Sequence, residues 1–255
     1  MGNFFLESDF NAFDIEKSKS KDKIILEKRR VAAEKLRELN NLGLFEFMNS
    51  KGLSSHWEKQ YITSITWPLK RVNDECVDRV YLSYGKNRAD FRKLIKLLNL
   101  YNNIEGNRIE EDMVFSYIPR IELGLDANSW NTAFYLDKYG NIEQRNLVNK
   151  IRKNYDLKER FKNILIALES KGYKLYLIKD NTLLNYEDET DYVEDIIKYT
   201  EGGERYTLTI RKDYDKNHIN NSRKEILDFV KSEFDNLMEV YYFISWDSEG
   251  NDYLR

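Results

Sequence analysis

A hairpin run between about residues 113 and 137, in which apolar and polar side chains alternate strictly from Ile121 onward, constrains this chain more than any other feature. Ile121, Leu123 and Leu125 share one parity, against Arg120, Glu122 and Gly124 on the other. After Asp126-Ala127-Asn128-Ser129, the run Trp130, Thr132, Phe134, Leu136 alternates with Asn131, Ala133, Tyr135 and Asp137. Strand side chains point to opposite faces with period two, and Asp and Asn bond readily to nearby backbone, so the pattern predicts two strands joined by a tight connection. One face of this hairpin is apolar. The other carries Arg120, Glu122, Asn131 and Asp137. It is expected to be a solvated sheet face, since antiparallel sheets commonly wet one side, with a site lined by those four residues as the alternative. Pro119 has no N–H for a ladder, so the run bends, bulges or lies at an edge there.

An apolar sheet face needs cover, and the flanking sequence supplies helical stripes. Phe91, Leu94, Ile95, Leu98 and Tyr101 recur at i, i+3, i+4, i+7 spacing, as do Phe161, Ile164, Leu165 and Leu168 after a start at Asp156 and Glu159. Leu147, Val148 and Ile151 form a third stripe, in a helix capped at Asn141, and Ile226, Phe229, Val230, Phe234 and Leu237 a fourth. Further strands are predicted at Val80–Tyr84, Tyr173–Ile178, Tyr206–Ile210 and Val240–Ile244, with an acidic helix at Thr190–Tyr199. At the N-terminus, Phe4, Phe5, Phe10 and Phe13 suit an arm packed on the body or on a second subunit. Ser20 is placed to cap a long helix to about Asn41, Gly43 breaks it, and helical pieces follow at Leu44–Ser50 and in the aromatic segment from Trp57 to Pro68. The order lacks regular βαβ alternation. It predicts an α+β fold: a mainly antiparallel sheet built around the central hairpin, with helices packed on it. A helical N-terminal segment, 1–75, is expected to pack on an α+β domain, 76–255.

Charge limits the partners. Net charge is −3 over 255 residues, which argues against whole-chain electrostatic binding to nucleic acid or an anionic membrane. The distribution is uneven: Lys17–Glu38 holds nine basic and four acidic residues, and Tyr186–Glu204 eight acidic residues and one lysine. Opposed patches of this kind can steer partners or pair with each other. A single cysteine, Cys76, and two histidines, His56 and His218, leave no disulfide within the chain and no four-ligand Cys/His zinc site. They fit a reducing, cytoplasmic setting. No apolar run approaches the roughly 20 residues of a membrane span, the start MGNFFLESDF lacks a secretory pattern, and Leu6 stands where myristoylation favours Ser or Thr.

Several constellations touch on chemistry. A strand, Gly85-Lys86 and a helix is an order that cradles phosphate, but a P-loop needs glycine at Val80 and Ser or Thr at Asn87. What survives is an anion site of Lys86, Arg88 and Arg92. Asp213, Asp215 and Asn217 open like a calcium loop, yet His218 and Lys224 replace the expected Gly and Glu. Asp213, Asp215 and His218 could still hold Mg or Mn. Arg211 and His218 carry the residue types of a ribonuclease acid–base pair, with Arg stabilising the charged intermediate. Glu169-Ser-Lys171 falls at a helix end, not on the strand a restriction-type nuclease uses, and the block Glu187–Asp195 reads as a solvated acidic loop. Cys76 sits among Asp74, Glu75 and Asp78, a poor setting for a thiolate. Tyr84, Tyr101, Tyr135 and Tyr155 beside basic helices leave single-strand nucleic-acid binding open.

The resulting expectation is a soluble cytoplasmic binding or accessory protein, not an enzyme. It would act by surface recognition of a protein partner or as a homo-oligomer, with no cofactor and no membrane. The alternative is a divalent-metal-dependent nuclease or phosphodiesterase.

Overall fold

Residues Arg120–Asp126 (β3) and Trp130–Leu136 (β4) form the hairpin that the alternation predicts. Its connection closes with the Asp126 N–H donating to the Ser129 carbonyl at 3.0 Å, and the Asp126 carboxylate accepts from the N–H groups of Asn128 and Ser129 at 2.9 and 3.0 Å. A computed structural model describes residues 3–55, 77–102, 117–180, 182–216, 218 and 222–254. The start of the hairpin run (113–116), the Trp57–Pro68 segment, His56, Cys76 and the 75/76 boundary lie outside the described residues. The remaining strands are β1 (Leu53–Ser55), β2 (Arg79–Lys86), β5 (Lys174–Lys179), β6 (Thr182–Tyr186) and β7 (Tyr206–Tyr214). They build an open antiparallel sheet in the order β1-β2-β3-β4-β7-β5-β6, so the fold is α+β as expected, with a helical N-terminal segment.

The chain divides into two compact units. The first comprises Met1–Tyr84, Glu122–Ala133 and Asp213–Asp235. It contains α1 (Glu7–Phe10), α2 (Lys23–Leu39) and α3 (Phe45–Ser50). Asp22, not Ser20, caps α2: its carboxylate accepts from the Ile24 N–H at 2.7 Å, so the helix starts later than the sequence suggests. Gly43, at φ +130°, takes a conformation that L side chains avoid and turns the chain between α2 and α3. The aromatic arm packs inward. Phe5, Phe10 and Phe13 are all buried, and Phe5 lies 6.3 Å from the Trp130 ring, which stacks on Tyr214 at 4.2 Å.

The second unit comprises Gly85–Ile121, Phe134–Lys212 and Asn236–Arg255. Its helices are α4 (Arg88–Asn102), α5 (Asn141–Lys153), α6 (Tyr155–Ser170) and α7 (Glu189–Glu201). Phe91, Leu94, Ile118, Ile142 and Trp246 form a buried apolar cluster. Asn154 caps α6, accepting from the Leu157 N–H at 3.2 Å, so the helix opens at Tyr155 ahead of Asp156; Gly140, not Asn141, precedes α5. Asp188 caps α7, accepting from the Thr190 N–H at 2.6 Å.

Helix α8 (Arg223–Ile244) runs through both units and corrects one expectation. Val240, Tyr242 and Ile244 form its last turns, not a strand. Val240 and Ile244 are four residues apart and fully buried, so they continue the stripe of Ile226, Val230, Phe234 and Leu237. Tyr242 points outward at 51% exposed. Strand β6 is a second departure, because no alternation in Thr-Leu-Leu-Asn-Tyr signals it.

Candidate functional site

Of the expected anion site, Lys86 is turned to internal partners. Lys86 is buried at the end of β2, where its ammonium donates to the Ser245 hydroxyl and to the Trp246 carbonyl at 2.6 Å, 3.3 Å from the Glu143 carboxylate. Glu143 also accepts from the Trp246 N–H. Burial pushes the Glu143 carboxyl up from its usual value, with the Lys86 charge opposing. Arg92 is exposed on α4, and the Arg88 side chain lies outside the described residues. The helix start is occupied by Asn87, whose side-chain oxygen accepts from the N–H groups of Ala89 and Asp90 at 2.9 and 3.0 Å. A bound anion would compete with that cap.

Asp213 lies near the end of β7, and the exposed Asp215 and His218 follow the strand. The Asp213 carboxylate accepts from the Ser129 hydroxyl at 2.8 Å, and the His218 N–H donates to the Asp215 carbonyl at 2.9 Å. The His218 ring stacks on Tyr214 at 5.5 Å and meets Phe229 edge-on at 5.5 Å. Asn217 lies outside the described residues, and Arg211 pairs with Lys174 in the β5–β7 ladder. Among the described residues, no three His, Cys, Asp or Glu groups are placed to hold a metal ion.

The polar face of the hairpin is not solvated. Glu122 and Asn131 are fully buried, and Arg120 is 9% exposed. Glu122 pairs with Arg79, whose guanidinium also lies 4.8 Å from the Tyr81 ring. Arg120 sits 5.3 Å from the Tyr135 ring and 3.9 Å from the Asp137 carboxylate. Burial raises the Asp137 carboxyl, and the Arg120 charge opposes that rise. Gly124 lets Asn131 approach: a Cβ there would lie 2.7 Å from the Asn131 side-chain oxygen. The face is interior because both sides of β3 and β4 are covered, a circumstance that alternation cannot report. Nor do Tyr84, Tyr135 and Tyr155 share a platform. Tyr84 and Tyr135 are buried, Tyr155 is 73% exposed, and the Tyr101 side chain lies outside the described residues.

The feature that sequence reasoning missed is β6. Among the described residues it ends the sheet and pairs only with β5, in the register Leu175↔Tyr186 to Lys179↔Thr182. A two-residue connection, with Asp180 at φ 51°, makes Lys179–Thr182 the closing pair. Hydrogen-bonded and non-bonded positions alternate along an antiparallel pair, so Thr182, Leu184 and Tyr186 bond to β5 while Leu183 and Asn185 aim their N–H and C=O groups outward. Leu183 is 59% exposed. Beside the strand's end lies an open groove of about 380 Å³ lined by Asn185, Tyr186, Glu187, Asp191, Glu194 and Asp195. The Tyr186 hydroxyl donates to Asp195 at 2.7 Å; burial and this carboxylate hold its pKa above the usual tyrosine value. Lys158 pairs with Glu194 at 2.6 Å, and among the described residues no lysine or arginine is paired with Glu187 or Asp191. The acidic composition of this segment is visible in sequence; its place beside a free strand edge is not.

No protein-family model matches the chain, and a comparison with curated proteins finds no match.

Proposed function

We propose that this chain is a binding or accessory protein that works by surface recognition, with β6 as its recognition element. The observation that carries this reading is the edge of β6, which among the described residues no further strand covers. Outward N–H and C=O groups on an edge strand are a template for another strand, and proteins usually blunt such edges with Lys, Pro, a bulge or a covering segment. The five residues of β6 include neither Lys nor Pro, and three of the five are exposed. The charges inside the protein support the same reading: Lys86, Arg79, Glu122 and Glu143 are engaged by internal partners. No helix among the described residues is long and apolar enough to cross a membrane. The single cysteine suits a reducing, cytoplasmic setting.

Amide hydrogen exchange tests the edge directly. Leu183 and Asn185 should exchange fast and Leu184 and Tyr186 slowly; equal protection at all four would show that the edge is closed. Incubation with labelled RNA and DNA in Mg²⁺, Mn²⁺ or EDTA tests the binding class. Metal-dependent cleavage abolished by Asp213→Asn would overturn it in favour of a nuclease.

A further inference from the structure

We infer that the β6 edge takes an extended segment of a partner protein in which basic residues alternate with apolar ones, added to the sheet as a further strand. This rests on the reading of β6 as the recognition edge. Register and charge together define the occupant. Leu184 and Tyr186 share a face with Leu177 and Leu175, and the Tyr186 ring packs against Tyr192 of α7 at 5.2 Å. This is the α7 side, where the groove carries Glu187, Asp191, Glu194 and Asp195. On the opposite face Leu183 and Asn185 lie beside Ile178 and Tyr176. A strand laid along β6 would send alternate side chains to the two faces. Those on the α7 side meet carboxylates, two of which have no paired lysine or arginine among the described residues. Those on the other side meet Leu183, 59% exposed, and the half-buried Ile178. Lysine or arginine fits the first set, and valine, isoleucine or threonine the second.

A second copy fits poorly. Pairing β6 with β6 would bring the two copies' acidic flanks, each with eight acidic residues and one lysine between Tyr186 and Glu204, to neighbouring positions beside the new ladder, and their like charges repel. Nor can the chain's own basic run, Lys17–Glu38, supply the strand, because most of it is helix α2. Its arginines are also engaged: Arg30 with Glu27 at 2.6 Å, Arg37 with Glu34 at 2.8 Å, and Arg29 with backbone carbonyls. The occupant is therefore a foreign basic segment.

Fluorescence anisotropy on the full chain tests this with two labelled peptides of about ten residues, a length that spans an ordinary strand. One alternates lysine with valine; the other replaces each lysine with glutamate. Leu183→Pro removes one outward N–H and no bond to β5, and Asn185→Pro does the same should the first variant fail to fold. Glu187→Lys with Asp191→Lys reverses the local charge. The lysine peptide should bind, more weakly as salt rises, and lose about tenfold in affinity with either proline and with the charge reversal. The glutamate peptide should not bind. Equal binding of both peptides, sensitive to Leu183→Pro, would overturn the basic class while leaving the edge reading intact. Lysine-peptide binding untouched by both prolines would overturn the edge as well, and absence of any binding would overturn the inference. A wild-type dimer dissolved by Leu183→Pro would show that the edge takes a second copy, and would also overturn it.

Discussion

Arg29 is a buried cation that, among the described residues, meets backbone carbonyls instead of a carboxylate. Its guanidinium donates to the carbonyls of Ala12 at 3.1 Å, Lys17 at 2.7 Å and Ser18 at 3.3 Å, joining α2 to the turns of the N-terminal arm. Burial lowers its pKa, yet an arginine stays protonated, and its planar fork reaches several acceptors at once. Arg29→Met strands those carbonyls and should cost about 3 kcal/mol in urea unfolding, since bonds to a charged group contribute roughly 1.5–3 kcal/mol each. Arg29→Lys should recover only part, having one point of donation. A loss below about 0.5 kcal/mol, the size of an ordinary surface change, would show that the arm is held by its phenylalanines alone. Asn131 makes the opposite case. It is fully buried, and among the described residues neither its amide nitrogen nor its side-chain oxygen has a hydrogen-bond partner. Asn131→Leu keeps the volume and removes the unmet polar groups, so stability should rise by about 1–2 kcal/mol. A fall would show that the amide is satisfied in solution by ordered water. None of this was legible in sequence, where Arg29 looks like one more charge on a basic helix and Asn131 like a solvated strand residue.

Among the elements, α8 shows how a helix end can be satisfied from a distance. Its last carbonyls have no intrahelical donors. The Asn251 amide, beyond the helix, donates to the carbonyls of Phe243 at 3.1 Å and Ser245 at 2.7 Å. Lys150 of α5 donates to the Phe243 carbonyl at 3.0 Å and to the Asn251 side-chain oxygen at 2.9 Å. The ammonium also lies 3.7 Å from the Phe243 ring and 5.6 Å from that of Tyr253. A cation at a helix C-terminus is favourable, but burial, with Arg160 adding repulsion, brings the Lys150 pKa down to about 8. An unfolded lysine titrates near 10.5, so between about pH 8 and 10.5 the unfolded chain holds a proton that the folded chain has released. Stability should climb with pH across that window and be lost as pH falls through 8, at no more than about 1.4 kcal/mol per pH unit. Lys150→Met should flatten that part of the urea-unfolding profile; an unchanged slope would assign it to another group. Asn251→Ala should destabilise by about 2 kcal/mol, and Asn251→Asp should not rescue, because the role is donation to carbonyls. The same helix explains one misreading. Val240, Tyr242 and Ile244 alternate like a strand, but Val240 and Ile244 also fit the i, i+4 spacing of the stripe before them. Burial chose the helix. Strand β6 failed for the converse reason, since period two marks a strand only where one face is buried, and three of its five residues are exposed.

At the scale of the whole molecule, a net charge of −3 conceals the segregation that gives β6 its character. Both charged runs were legible as composition; what each does was not. The basic run lies largely in α2, with its arginines engaged internally. The acidic run begins where β6 ends and continues through α7, beside outward backbone groups that no charge count can locate. This placement lets the acidic flank guard the edge as well as select for it, because like charges keep two copies from joining strand to strand. Neutralising Glu187 and Asp191 as Glu187→Gln with Asp191→Asn should therefore release self-association while sparing the Asp188 cap of α7. Light scattering should show mass rising with concentration in the double variant, most strongly at low protein charge, and Leu183→Pro on that background should restore the wild-type mass. Self-association that survives the proline would mean that the copies meet on another surface. A double variant with wild-type mass at every concentration would mean that the flank does not guard the edge, leaving attraction of a basic strand as its remaining role.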